Sequence, residues 1–251
     1  MYATTYVRAS DVADAATRLG AADDGSLLAG GMTLLPTLKQ RLANPDCLVD
    51  LAGCDLAGIS DEVDSIRIGA MTRHVDVAES PIVQKAIPAV AHLAGHIGDR
   101  QVRNRGTIGG SVANNDPSAC YPSALLALGG TVHTQNRSIA ADEFFTGMFD
   151  TALDEDEIIT AISLPKPDKA GYVKFPNPAS RYAMVGVFVA KCADGVRVAV
   201  TGAGEDGVFR ATDIEAALDA DFSAGAIDKV SVSKDGLMSD IHASADYRAH
   251  L

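Results

Sequence analysis

The chain has 251 residues, room for one large domain or two small ones around a sizeable core. Its 21 Lys and Arg face 33 Asp and Glu, a formal net charge of −12, which argues against a general nucleic-acid surface, since that needs clustered positive charge. Hydrophobic residues make up 47% of the chain, yet no apolar run approaches the roughly 18 residues that span a bilayer.

The start, Met1-Tyr2-Ala3-Thr4-Thr5-Tyr6, has neither a basic n-region nor an apolar h-region. A cytoplasmic protein is the resulting expectation. The cysteines, Cys47, Cys54, Cys120 and Cys192, form no Cys-x-x-Cys pair. They are expected to be buried as small apolar residues rather than to hold a metal or cluster.

In chain order, Ser10 is positioned to cap a helix over Asp11–Leu19 that stops at Gly20. Ser26–Ala29 reads as a short buried strand running into Gly30-Gly31, followed by a helix from about Thr33 to Leu42 with Pro36 in its first turn. Cys47–Leu51 is the next strand, so residues 1 to about 55 form a small α/β unit whose glycine turn joins a strand to a helix. Ser65–Ala70 alternates like a strand. Helical stretches follow at about Arg73–Glu79 and Pro81–Ala94, the second kinked or divided by Pro88.

A second glycine-rich stretch, Arg105–Pro117, leads into a helix at Pro122–Leu128. Thr131–Gln135 and Arg137–Ile139 read as a hairpin, Asp142–Phe145 as a helical turn, and Ile158–Leu164 as a strand. Pro165-Lys166-Pro167-Asp168-Lys169 has the composition of a linker. Beyond it, Gly171–Phe175, Ala183–Cys192 and Val196–Gly202 read as strands, the last two joined across Asp194-Gly195. A helix at Ala211–Ala220 and an amphipathic helix at Ser239–Leu251 complete the chain.

The two glycine pairs, Gly30-Gly31 and Gly109-Gly110, are either tight turns needed only for packing or the centre of the chemistry. Glycine lets backbone N–H groups approach a ligand closely, and two such turns face to face would hold a pyrophosphate by its oxygens. Neither stretch is a G-x-G-x-x-G fingerprint or a P-loop. Asp116 is placed either to accept hydrogen bonds from ribose or ribityl hydroxyls or to cap the turn before Pro117. Arg100, Gln101, Arg103 and Arg105 form either an anion- or partner-facing group or a solvated basic loop. Lys174 and Tyr182 are either structural, as each is more often when taken singly, or suited to a flat, electron-accepting ring, on which the aromatic can stack and whose negative charge the ammonium can stabilise. His92 and His96 lack the surroundings of a zinc site, and no nucleophile motif occurs.

Three segments in this order carry a family resemblance: Ala29–Pro36, Thr107–Pro117 and Phe144-Phe145-Thr146-Gly147. The chain resembles, over nearly its whole length, the FAD-binding medium subunit of molybdenum hydroxylases. The likeness is strongest to that of aerobic carbon monoxide dehydrogenase, and xanthine dehydrogenase carries an equivalent domain. The resemblance implies an α+β architecture: a p-cresol methylhydroxylase-type (PCMH-type, vanillyl-alcohol oxidase-like) FAD-binding fold over residues 1–165, in subdomains of about 1–55 and 56–165. A smaller C-terminal α/β domain over 171–251 would close over the flavin.

By the same resemblance, Leu28, Ala29, Gly30, Gly31, Met32, Thr33 and Leu34 hold the FAD pyrophosphate together with Thr107, Ile108, Gly109, Gly110 and Ser111. Asp116 holds sugar hydroxyls, Asn115 beside it is a further cofactor-binding residue, Ile158 or Ile159 packs on the cofactor, Lys174 and Tyr182 sit at the isoalloxazine end, and Ile97, at the turn before the arginines, is a further carry-over. The implied role is electron transfer. A large subunit with a molybdenum cofactor oxidises the substrate, a small subunit with two [2Fe–2S] clusters passes electrons to the FAD, and an external acceptor takes them. The implied assembly is a dimer of heterotrimers. A stand-alone FAD oxidoreductase of the same fold, and a non-redox binding module, are the alternatives. The extra cysteines of a [4Fe–4S] insertion, found in benzoyl-CoA reductase-type relatives, are absent.

Overall fold

The computed structural model describes residues 1–251. The chain opens with β1 (Thr5–Arg8), α1 (Val12–Gly20), β2 (Gly25–Leu28), α2 (Leu34–Lys39) and β3 (Cys47–Asp50). These strands form a parallel sheet in the order β1-β3-β2. β1 is an element that the sequence reading missed. The cap of α1 is Asp11 rather than Ser10: its carboxylate accepts from the Asp14 N–H at 2.8 Å, while Asp14 in turn takes the Ser10 N–H. α2 is shorter than expected and ends at Lys39.

The middle of the chain contains β4 (Ile59–Asp61), β5 (Ser65–Gly69), α3 (His74–Glu79), α4 (Pro81–Ala86), α5 (Pro88–Gly95), α6 (Arg100–Arg105), α7 (Ile108–Asn114) and α8 (Tyr121–Leu128). Pro88 divides the expected long helix into α4 and α5, each with proline in its first turn, where the missing N–H costs little. The basic stretch expected as a loop is the helix α6, capped by Asp99. The second glycine pair is not a bend. It forms the first turn of α7, with Thr107 as N-cap and Asn115 ending the helix in the left-handed region at φ 41°.

Next come β6 (Thr131–Thr134), β7 (Ser138–Ala140), α9 (Ala141–Phe144), β8 (Phe145–Gly147), β9 (Asp150–Thr151) and β10 (Ile159–Pro165). The second sheet is antiparallel, in the order β4-β5-β10-β6-β7. The final part holds β11 (Lys169–Pro176), β12 (Ala183–Cys192), β13 (Gly195–Gly204), β14 (Gly207–Arg210), α10 (Thr212–Ala220) and α11 (Ala245–His250). Its four strands pair antiparallel in sequence order. The expected C-terminal helix forms only from Ala245, because Asp240 instead accepts the His242 and Ala243 N–H groups in a turn.

The proline-rich stretch expected as a linker is anchored. Pro165 still pairs with Ser65, and Lys166 meets Asp61 at 2.6 Å. One core of 31 buried residues spans both sides of it: Ile66, Ile68, Leu125 and Ile162 from the middle of the chain share it with Tyr172, Phe188 and Ala199 from the last sheet. Cys54 and Cys120 are buried as expected, whereas Cys47 and Cys192 are only half-buried; all four are free.

Candidate functional site

The two glycine stretches meet. A Cβ on Gly30 would lie 2.1 Å from the carbonyl oxygen of Arg105, and one on Gly110 would lie 3.6 Å from the Ala29 Cβ. They form two walls of a cavity of about 640 Å³, bounded also by Ile97–Asp99, Asp116, Ser118–Cys120, Glu157–Ile159 and, from the last sheet, Lys174 and Ala179–Tyr182. That volume is in the range of a small-molecule or cofactor site.

The stretches contribute differently. Gly30, Gly31, Met32 and Thr33 have four consecutive backbone N–H groups that donate to no protein acceptor. Gly31 sits at φ +72°, a conformation glycine adopts without strain, and a row of amides in such a turn is a nest for an anion. The first-turn amides of α7 are already engaged. Ile108 donates to Thr72, Gly109 to Ala70 and Ser111 to the Thr107 carbonyl, at 2.9 to 3.0 Å, and Gly110 donates to the Thr107 hydroxyl at 3.2 Å. The second stretch therefore supplies a close, side-chain-poor wall rather than free donors. Gly109 can only be glycine, because a Cβ there would lie 2.6 Å from that of Ala70. The residues fit a dinucleotide: a diphosphate offers oxygens to the free amides, and the absent Cβ atoms leave room for it.

Sixteen of the residues expected from the sequence line this cavity: Ala29, Gly30, Gly31, Met32, Thr33, Leu34, Ile97, Thr107, Gly109, Gly110, Ser111, Asp116, Ile158, Ile159, Lys174 and Tyr182. Three do not. Leu28 ends β2 and packs towards Gly31. Ile108 is wholly buried in the core below α7. Asn115 turns its side-chain amide away, donating to the carbonyls of Gly147 and Asp150 at 2.8 Å each, and so fixes the β8–β9 hairpin.

Three charged groups of the cavity are individually held. Asp116 accepts the Ser118 N–H at 2.8 Å, so it both caps its turn and faces the cavity, and burial pushes its carboxyl up. Glu157 is gripped by Arg137 at 2.7 and 2.9 Å, which lowers its carboxyl to about 2. The Lys174 ammonium donates to the His96 carbonyl at 2.8 Å and lies 3.5 Å from the Cys120 sulfur. Burial pushes the Tyr182 phenol up, with Asp116 adding to the effect. The sequence reading missed His74 and Cys120. Each stands alone in the sequence, His74 between Arg73 and Val75 and Cys120 between Ala119 and Tyr121, with no spacing that singles it out.

Residues 2–167 match the family described as the FAD binding domain in molybdopterin dehydrogenase. The chain belongs to this FAD-binding family. It is an FAD-binding chain of the kind that serves as the medium subunit of molybdenum-hydroxylase-type oxidoreductases. It is 36% identical to the nicotine 6-hydroxylase medium subunit of Paenarthrobacter nicotinovorans, over 98% of this chain and 92% of that protein. It is 35% identical to the glyceraldehyde dehydrogenase medium chain of Sulfolobus acidocaldarius, over 84% and 79% respectively. The structure of carbon monoxide dehydrogenase from Hydrogenophaga pseudoflava superposes with a TM-score of 0.89 at 33% identity, covering 99% of this chain and 93% of that one. No helix of the flavoprotein is long and apolar enough to cross a membrane.

Proposed function

We propose that this flavoprotein holds FAD between Ala29–Leu34 and Thr107–Ser111, takes electrons from the [2Fe–2S] clusters of a small partner subunit, and passes them to an external acceptor. A large partner subunit with the molybdenum cofactor oxidises the substrate. The complex is a dimer of heterotrimers in the cytoplasm, a compartment that four free cysteines suit. Residues 1–165 form the flavin-binding unit, and 171–251 the unit that closes over it.

The row of free amides from Gly30 to Thr33 carries this reading. These amides take the diphosphate oxygens, while Ser111, across the cavity, adds a hydroxyl. Asp116 accepts from sugar hydroxyls with the carboxylate oxygen that Ser118 leaves free. Ile158 and Ile159 exclude water from one side of the cofactor. Lys174, anchored by His96, keeps donors for the ring, where a fixed positive charge favours added negative charge; Tyr182 supplies a stacking face. Bound FAD supplies the exchange of electrons singly or in pairs.

Co-expression with adjacent genes for molybdenum-binding and ferredoxin-like chains tests the proposal. The expected product is yellow, carries one FAD per copy of this chain, co-elutes with molybdenum and iron, and bleaches when substrate is added without oxygen. A chain that elutes alone and cannot be reconstituted with FAD overturns it, as does one that oxidises an organic substrate unaided.

A further inference from the structure

His74 opens α3 and is only 4% exposed. Its backbone N–H donates to the Gly106 carbonyl at 3.0 Å, which ties the residue to the segment leading into α7. The imidazole lies against that segment, since a Cβ on Gly106 would come within 2.6 Å of Nε2. On its other side is the Tyr121 ring, 5.4 Å away between centroids. Burial, helped by the charge of Arg103, lowers the imidazole to about 4, so the ring is neutral at neutral pH.

A neutral imidazole offers one N–H donor and one bare nitrogen acceptor. Nδ1 is fully buried and has no hydrogen-bond partner in the protein. Buried polar atoms are rarely left in this state, and an exception calls for a missing partner. Nδ1 has no accessible surface, so its partner must lie inside the protein. The nitrogen at the cavity wall is Nε2, beside Gly106, and it too is engaged by no protein group, while His74 and Gly106 both line the flavin cavity.

We propose that His74 is a cofactor-binding residue, its imidazole exchanging a hydrogen bond with a polar edge of the dinucleotide beside Gly106. The inference rests on the FAD reading above and adds to it a contact not made by either glycine pair. Gly106 then has a reason to be glycine: any side chain there would occupy the space of the ring. The competing partner is the Tyr121 hydroxyl, which is also buried and unpaired and could share an internal water with the imidazole.

The test is FAD titration of the purified full chain, followed by quenching of flavin fluorescence, for wild type, His74→Leu, His74→Gln and Tyr121→Phe. His74→Leu is expected to weaken binding about tenfold or more, equivalent to about 1.4 kcal/mol. His74→Gln, which keeps a donor and an acceptor, is expected to stay within about threefold of wild type, and Tyr121→Phe to bind normally. Equal affinity in wild type and a folded His74→Leu overturns the inference. So does a pattern in which His74→Leu and Tyr121→Phe lose the same thermal stability and no affinity, since that is the internal-water arrangement.

Should His74→Leu fail to fold, the imidazole 15N resonances of wild type, assigned through His74→Gln, decide the matter. They are expected to move when FAD is added, and their failure to move overturns the inference. A wild-type chain that binds no FAD refutes the parent reading instead, which keeps the two failures distinct.

Discussion

The Lys174 ammonium lies 3.5 Å from the sulfur of Cys120, linking the last sheet to the segment that enters α8. Cys120 is 4% exposed and lines the cavity proposed for FAD, so reagents that reach its sulfur must come through the space FAD would fill. Iodoacetamide is therefore expected to alkylate Cys120 slowly in the FAD-free chain. FAD at about 100 times its Kd should slow that reaction about a hundredfold, in proportion to the unoccupied fraction. Cys54, buried outside this cavity and with its thiol pushed up by burial, is the internal control and should be unreactive in both states. Peptide mass spectrometry reads both sites at once, and an alkylation rate at Cys120 that ignores FAD would remove the cofactor from this cavity.

Gly30 touches the opposing stretch so closely that it tolerates no side chain. In Gly30→Ala the new methyl would meet the Arg105 carbonyl at 2.1 Å, and backbone on one side or the other must move. Overpacking of this kind costs about 1–3 kcal/mol, and the movement would spoil the row of free amides. The expected variant is folded, a few degrees less stable, and without measurable FAD. Gly20→Ala is the matched control: no atom lies within 4 Å of its Cβ position, and it should bind FAD normally with unchanged or slightly raised stability.

Much of this site was legible because glycine pairs are conspicuous and their surroundings carry polar side chains. What the residue pattern did not disclose was how each pair works. Gly109-Gly110 has poor helix propensity, yet the Thr107 cap and burial of Ile108 and Val112 make it helical and consume its amides. Asn115 has the chemistry of a ligand residue, but two carbonyls from the β8–β9 hairpin claim its amide, a contact across 32 and 35 residues that no local pattern encodes. His74 was invisible for the complementary reason: its importance comes from lacking a partner, which only packing reveals. The helices of the core were legible down to the break at Pro88, because proline and apolar periodicity act locally. β1 was missed because its four residues show almost no burial alternation.

Acid should loosen the cavity wall at Glu157. Its carboxylate accepts hydrogen bonds from Arg137, Thr134 and the Asp154 N–H, and is held at about 2 against an ordinary value of 4.5. A carboxyl depressed in the folded state stabilises the fold above its unfolded value, and that contribution is lost as pH falls from about 4.5 towards 2. The urea midpoint should therefore fall between pH 5 and pH 3. Glu157→Gln should start lower at pH 7 and fall less steeply over that window. Parallel curves for the two proteins would show that this carboxylate does not govern the acid limb.

The last sheet reaches the cofactor side of the molecule through Thr201. Its wholly buried hydroxyl lies 2.6 Å from the Ala119 carbonyl and 2.9 Å from that of Pro117, and the neighbouring Gly202 N–H donates to Pro117 at 2.7 Å. These bonds hold the Asp116–Cys120 segment, and with it the Asp116 carboxylate and the sulfur beside Lys174. Thr201→Val keeps the shape but removes the donor, leaving the part-buried Ala119 carbonyl short of a partner while Pro117 keeps the Gly202 N–H, at a cost of about 1 kcal/mol. Because that carbonyl belongs to the cavity wall, FAD affinity should fall several-fold along with the melting temperature. Thr201→Ser restores the hydroxyl and should recover the affinity even where the lost methyl keeps stability below wild type. If Thr201→Val melts early yet binds FAD as wild type does, the clamp serves the fold alone and the Asp116–Cys120 segment keeps its place by other contacts.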